Sequence, residues 1–394
     1  MRGLASIWTR SIACQQYRVL TPLAASETAR ALCRTPQSRP SRHHGLRLGA
    51  MSTSSQQPAT SSGPDASSGG IRLTQLSHGG GCGCKIAPAK LQEILRGVQL
   101  DFGSPDLLVG ASTSDDAAVY RLTPDLALIL TTDFFMPIVD DPRDFGRVAA
   151  ANAISDVYAM GGRPVLALSV LGAPVSVLPA EVIGAVLEGG AETCRRAGIP
   201  LAGGHSIDTP EPLFGLVVAG VAPPHHIRRN STARAGDVLL LSKPLGVGAC
   251  TTALKKGRLD RQGYEEVLAT MTRLNTLGLR VATDPRVHAM TDVTGFGLLG
   301  HLLEVCRGSG LAGRLAGGAV PLLGPAAELA RAGVLPGAVK RNWESYGGSV
   351  RLQPGVQPWL RDLLCDPQTS GGLLLAAEES AVADLQRLAE EEAR

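Results

Sequence analysis

From residue 71 onward the chain alternates two apolar patterns: short continuous runs, and longer stretches with apolar positions every three or four residues. The runs at 119–122, 126–132, 164–171, 213–221, 237–241, 290–293 and 373–377 predict strands. The longer stretches at 89–98, 145–160, 180–197, 264–283, 298–306 and 380–392, with one more after Gly248, predict helices. The run Leu-Ala-Leu-Ile-Leu-Thr-Thr at 126–132 is nearly all apolar, the pattern of a strand buried on both faces. Gly161-Gly162 closes the helix before it can run on, and Ala222-Pro223-Pro224-His225-His226 marks a domain boundary. Strands and helices interleave on both sides of it, so the expected class is mixed α/β and α+β, with domains at 71–222 and 223–394.

Residues 1–70 break the pattern. Positions 1–50 carry eight Arg, no Lys and one acid, Glu27, with Ser and Thr interspersed, which is the composition of an organellar transit peptide. Met51 could equally be a start, and 52–70 read as a Ser/Gly/Pro-rich linker, so 1–70 are expected to be a disordered extension. Localisation is then cytoplasmic, or mitochondrial or plastid if 1–50 are a transit segment. The formal charge of +3 comes from this extension, because residues 51–394 hold 30 basic and 34 acidic side chains. With aromatics at 4%, that balance argues against nucleic acid as a partner. No run of apolar residues is long enough to predict a membrane span. Six of the eight cysteines are scattered, unlike a disulfide scaffold.

Cys82 and Cys84 are the exception, in Ser77-His78-Gly79-Gly80-Gly81-Cys82-Gly83-Cys84-Lys85. Glycines let such a segment bend and approach a ligand closely. Lys85 is a phosphate-reaching cation, and its charge is a reason for a neighbouring thiol to ionise. An extended Cys-Gly-Cys would put both thiols on one side. His78 with the two thiols leaves a zinc site short of ligands. Carboxylates stand at the ends of apolar elements: Asp115-Asp116, Asp133, Asp156 with Asn152 one helical turn earlier, and Asp292. Such a set suits a hard cation shared with phosphate oxygens. Gly203-Gly204-His205-Ser206 could cradle phosphate or nucleoside, or be an ordinary turn. Gly295-x-Gly297-x-x-Gly300 imitates a dinucleotide fingerprint, but no acid lies between Val305 and Ala327 to take a ribose, so its glycines read as close packing or a phosphate turn.

Taken together, 73–85, 115–120, 131–134, 151–161, 203–206, 291–297 and Leu364-Cys365-Asp366-Pro367-Gln368-Thr369-Ser370-Gly371-Gly372 resemble, in order, the motifs of the selenophosphate synthetase (selenide, water dikinase) family. The resemblance implies selenophosphate synthesis from selenide, ATP and water, with release of AMP and orthophosphate. It implies Cys82 and Lys85 as catalytic residues, and Asp116, Asp156 and Asp292 as Mg²⁺ ligands. Lys85, Ser114, Asp115, Asp133, Asp156, Gly204, His205 and Ser206 become nucleotide contacts. The implied fold is the two-domain aminoimidazole-ribonucleotide-synthetase type, a homodimer whose N-terminal sheets pair into a barrel. A transient selenium-delivery protein is a further implied partner. Family members continue into another strand after the helix that here ends at Arg394, so a bare sheet edge is expected. The competing expectations are a sibling ATP-dependent enzyme of this fold, which has no use for the thiol loop, and a catalytically silent redox or regulatory paralogue, which would replace Cys82.

Overall fold

The structure is a computed structural model and describes residues 17–18, 20–22, 71–86, 88–98, 103–111 and 114–392. Of the extension, only strands β1 (Tyr17–Arg18) and β2 (Leu20–Pro22) fall among these residues, so the transit-segment and linker expectations otherwise lie outside them. Six strands form the first sheet: β3 (Leu107–Val109), β4 (Ala118–Thr123), β5 (Leu126–Phe135), β6 (Arg163–Ala173), β7 (Leu201–Asp208) and β8 (Leu213–Ala222). Their order is β3-β4-β5-β8-β6-β7. Neighbours are antiparallel except β6 and β7, whose parallel pairing needs a crossover helix between them.

Two helices cover one face of this sheet. Helix α2 (Pro142–Ala159) follows the short α1 (Pro88–Leu95), and α3 (Ala180–Arg196) is the β6–β7 crossover. Asp141 caps α2 by accepting the Asp144 N–H at 2.8 Å, and Pro142 sits in the first turn, where its missing N–H costs nothing. The helices cross at glycines: a Cβ on Gly146 would stand 1.9 Å from the Val186 carbonyl oxygen. That contact brings α2 close to both the sheet and α3.

The expectation for 126–132 needs correction. Along β5 exposure alternates, so Ala127, Ile129, Thr131, Asp133 and Phe135 face α2 while Leu126, Leu130 and Phe134 face away. Within one chain the outer face stays open, with Phe134 at 49% exposure.

The second sheet is β1-β9-β12-β10, with β9 (Val238–Leu241), β10 (Val287–Asp292) and β12 (Leu373–Ala377) buried at every position. The short β11 (Leu311–Gly313) pairs with β2. The edge of β9 carries β1, with Tyr17 opposite Leu239. The remaining helices are α4 (Val247–Lys255), α5 (Arg261–Thr272), α6 (Leu277–Val281), α7 (Gly297–Ser309), α8 (Ala326–Arg331), α9 (Gly337–Tyr346), α10 (Pro358–Leu364) and α11 (Val382–Glu392), of which α4, α5 and α8 send their buried residues into the core of the first sheet. Leu239, Leu241 and Leu374 pack with α7, while Leu240, Met290 and Leu375 pack with α6 and α11.

The periodicity predicts one helix over 264–283. The chain instead breaks between α5 and α6, because residues 273–276 spend their polar groups elsewhere. The Arg273 carbonyl accepts from Lys243, and Asn275 donates to Ser155 and Gly371.

Candidate active site

The first sheet and the second meet along α2. From β5, Asp133 points at this helix; from β10, Asp292 reaches it from the other side. Asn152 and Asp156, one turn apart, share the face turned toward β5. The turn at 81–85 and the segment 366–372 close the site.

Cys82 is 1% exposed. Its thiol donates to Asn152 Oδ1 at 3.2 Å, and its N–H donates to Thr369 Oγ1 at 2.9 Å. Asn152 Nδ2 donates to Asp133 Oδ2 at 2.6 Å, and Lys85 Nζ lies 3.4 Å from the same oxygen. Thiol, amide, carboxylate and ammonium thus form one continuous chain. The Lys85 side chain keeps 38% of its surface in solvent. Burial of its ammonium would lower its pKa, but Asp133, helped by Cys82, Asp156 and Asp292, outweighs this and raises it.

Two expectations for the turn are corrected. Residues 81–84 are not extended; they form a tight 3-10 turn with Gly81 at φ +54°. The thiols consequently go to different places. Cys84 is half-buried with its sulfur 3.7 Å from Met136 Sδ, while His78 pairs with Glu211 at 2.9 Å. The three candidate zinc donors therefore turn to three separate partners. Nor does Lys85 make a thiolate of Cys82: burial, and then the Asp133 charge, push the thiol up by more than Lys85 and Thr369 bring it down. Burial also raises Cys84.

Three carboxylates adjoin this chain of bonds, Asp292 buried and Asp116 and Asp156 half-buried. Each receives one hydroxyl: Thr131 donates to Asp156 at 2.5 Å, Ser155 to Asp292 at 2.6 Å, and Thr291 to Asp116 at 2.7 Å. Burial pushes Asp116 well above the usual carboxylate range, and the charges of Asp292 and Asp156 add to it. Asp156 is raised by burial, then by Asp292 and Asp133. Asp292 is raised by burial against the opposing pull of Ser155, His301 and Lys85. Among the described residues, no three His, Cys, Asp or Glu side chains close on one point. Asp116 Oδ2 is nonetheless buried without a hydrogen-bond partner. Asp115 is turned elsewhere and accepts the Asn230 N–H at 2.7 Å. Ser114, at φ +53°, offers its carbonyl to Asn230 Nδ2.

Gly204, His205 and Ser206 lie on β7, the outer strand of the sheet, exposed, with β8 and β6 between them and Asp133. The glycines of the false fingerprint serve packing. A Cβ on Gly295 would stand 2.7 Å from the Cys82 carbonyl oxygen and 3.1 Å from the Lys85 stem. Gly295 is therefore the floor on which the thiol turn rests.

Sequence reasoning missed Asn275, and missed the individual roles of Thr131, Ser155, Thr291 and Thr369, which it met only inside longer motifs. Each is a small polar residue whose partner is distant in the chain, as with Cys82 and Thr369, 287 positions apart. Asn152 was findable from its helical spacing to Asp156.

Residues 114–222 match the N-terminal domain of AIR synthase related proteins, and residues 234–394 match the C-terminal domain. Among solved structures, the chain is similar to thiamine-monophosphate kinase from Stenotrophomonas maltophilia K279a, at 22% identity and a TM-score of 0.53 over 78% of this chain and 90% of that one. It is likewise similar to AaThiL complexed with AMPPCP and TMP, at 19% identity and a TM-score of 0.53 over 79% and 89%. The fold is thus the two-domain one of AIR synthase related proteins. Closer likeness comes from curated sequences. The selenide, water dikinase of Burkholderia pseudomallei (strain K96243) is 60% identical over 314 residues, 80% of this chain and 89% of that protein. Those of Dechloromonas aromatica (strain RCB) and Rhizobium meliloti (strain 1021) are 57% and 53% identical, each spanned over 91% of its length. The chain belongs to the selenide, water dikinase family.

Proposed function

We propose that this chain makes selenophosphate from selenide, ATP and water, releasing AMP and orthophosphate. The observation that carries the reading is the bonded chain Cys82–Asn152–Asp133–Lys85 beside the carboxylates Asp116, Asp156 and Asp292. A protonated thiol can donate its S–H to a selenide anion, and a lysine suits a phosphate. Cys82 would hold selenide beside it by hydrogen bonding, with no bond formed to its sulfur, and Lys85 would steady the transferred phosphoryl group. Cys82 is shielded from bulk water, while Lys85 stands at the exposed edge of the same turn, where it can meet a phosphate.

The carboxylates fit magnesium. They are hard oxygen donors, Asp116 and Asp156 are raised by burial and then by the charge of neighbouring carboxylates, and Asp116 Oδ2 is buried without a hydrogen-bond partner. When bound there, Mg²⁺ supplies charge neutralisation for the triphosphate. Asp133 is a proposed nucleotide contact on this chain, and Asp115 is proposed as another that would turn from the Asn230 N–H toward nucleotide on binding. Gly204, His205 and Ser206, at the far edge of the sheet, are proposed to meet nucleotide from a second copy. The open apolar face of β5, with Leu130 and Phe134, supports a homodimer in which two such sheets cover each other.

The test is phosphorus NMR of ATP with the protein and selenide under anaerobic reduction. Selenophosphate and AMP should appear only when selenide is present. Cys82→Ser should abolish selenide-dependent AMP while still binding ATP, and Cys84→Ser should keep substantial turnover. An active Cys82→Ser protein would overturn the assignment.

A further inference from the structure

Lys243 follows β9 and is 1% exposed. Its ammonium group is bonded to no carboxylate among the described residues. It donates to the Arg273 carbonyl at 2.7 Å and to the Ser370 carbonyl at 2.8 Å. Burying a lysine without a counter-charge is expensive, and a Met would fill similar space without that cost. Burial, with the Arg273 charge adding to it, pushes the amine well below the usual lysine range.

The use of those bonds is visible in the adjoining residues. Ser370 holds φ at +50°, a conformation that a non-glycine residue keeps only when its neighbours enforce it. Its N–H donates to Asn152 Oδ1 at 2.7 Å, and Thr369 before it receives the Cys82 N–H. Behind it there is no slack: a Cβ on Gly371 would stand 1.9 Å from the Val293 carbonyl oxygen, and one on Gly372 would stand 2.3 Å from Lys243 N. In front, Gln368 Oε1 takes the N–H groups of Gly246 and Val247. Lys243 is the side chain that holds the carbonyl at the centre of this segment.

We propose that Lys243 is a positioning residue for Cys82: its bond to the Ser370 carbonyl fixes the Thr369 hydroxyl and the Ser370 N–H, which hold the Cys82 turn and Asn152 in place. Its importance for turnover rests on the reading of Cys82 as the selenide-handling group.

The experiment labels Cys82 with iodoacetamide in full-length Cys84→Ser protein and follows the Cys82 peptide by mass spectrometry. A thiol this buried reacts only when its turn opens. Lys243→Met and Thr369→Val should each raise the labelling rate about tenfold, the weight of one lost hydrogen bond, and Thr369→Ser should restore the parent rate. ATP affinity should stay within about twofold, since the lost bond is not to nucleotide. If Lys243→Met fails to fold, Lys243→Gln, whose shorter amide cannot reach both carbonyls, takes its place against the same threshold. Unchanged labelling in the folded Lys243 variant overturns the proposal. Faster labelling with a matching fall in selenide-dependent AMP formation supports both the proposal and the Cys82 reading. Faster labelling with undiminished AMP formation supports the positioning role and sinks the Cys82 reading instead.

Discussion

The two sheets are built from similar apolar strands but treat them differently. In the second sheet, β9, β10 and β12 are buried at every position, and successive residues enter two separate cores. In the first, β5 is as apolar, yet only every other residue is buried, and Leu126, Leu130 and Phe134 are left in solvent. An apolar run alone therefore does not tell whether the strand's own chain covers both of its faces. The uncovered face is where a second copy is proposed to sit. The seam where the two sheets approach α2 is where the chemistry is proposed to occur.

The same substitution in each sheet tests this contrast, and carries the largest effect. Leu375→Ala should cost about 2–5 kcal/mol of unfolding free energy in urea titrations, because it opens a cavity between β12 and its helices. Leu130→Ala should change the stability of the isolated subunit by no more than about 0.5 kcal/mol, as at other open surfaces. It should instead weaken self-association about tenfold in sedimentation velocity, by removing apolar area from the proposed contact. Equal stability losses at both positions in monomeric protein would show that the first sheet is not open.

The seam gives the next effect. Asp292 ends β10 and meets Ser155 of α2, so it joins the two regions through a carboxylate whose pKa is raised by burial. Without metal, Asp292→Asn should leave the thermal midpoint at pH 8 level or raise it by about 2–4 °C, because the buried cluster loses one like charge while the Ser155 hydroxyl keeps an acceptor. The midpoint increase on adding Mg²⁺ should shrink at the same time. A large loss of metal-free stability with an unchanged Mg²⁺ response would make Asp292 a structural residue.

Much of this seam was legible in the chain. Carboxylates standing at the ends of apolar runs pointed to Asp116, Asp133 and Asp292 as site candidates, and the helical spacing of Asn152 to Asp156 put both on one face. What was not legible depended on long-range placement. Lys243 and Asn275 look like ordinary surface residues because nothing within ten positions shows that their partners are Ser370 and Gly371. The break at 273–276 overrode an unbroken helical period because tertiary bonds claimed its polar groups. Gly203-Gly204 read as a turn or cradle, yet lies within an edge strand, with Gly204 packed so that a Cβ would stand 2.1 Å from the Ser169 carbonyl oxygen. Which thiol faces the site followed from the 3-10 turn, which spacing alone did not predict.

An effect of similar size, seen only as a difference across pH, concerns Asp366, which ties the segment leading into β12 to the start of α4, a helix packed in the first core. Its Oδ2 accepts the Gly248 N–H at 2.9 Å and the Ala249 N–H at 3.3 Å, with Gln368 Nε2 at 3.1 Å. Its Oδ1 is buried without a partner. Donors at a helix N-terminus favour the charged form, and burial opposes it. Burial wins, and the carboxyl is pushed up to about 7. The sign follows. Between the ordinary aspartate value and about 7, the folded protein holds a proton that the unfolded chain has released. Stability from this group therefore falls as pH rises through that window, and levels off above it. Asp366→Asn is neutral at every pH, so its thermal midpoint relative to the parent should rise by about 2–4 °C between pH 5 and pH 8. Comparing the two proteins at each pH cancels the same-signed drift from Asp116, Asp156 and Asp292. A difference that stays flat across the window would mean that the N–H groups of Gly248 and Ala249 keep Asp366 ionised throughout, making the tie between the two regions a fixed charge at a helix end.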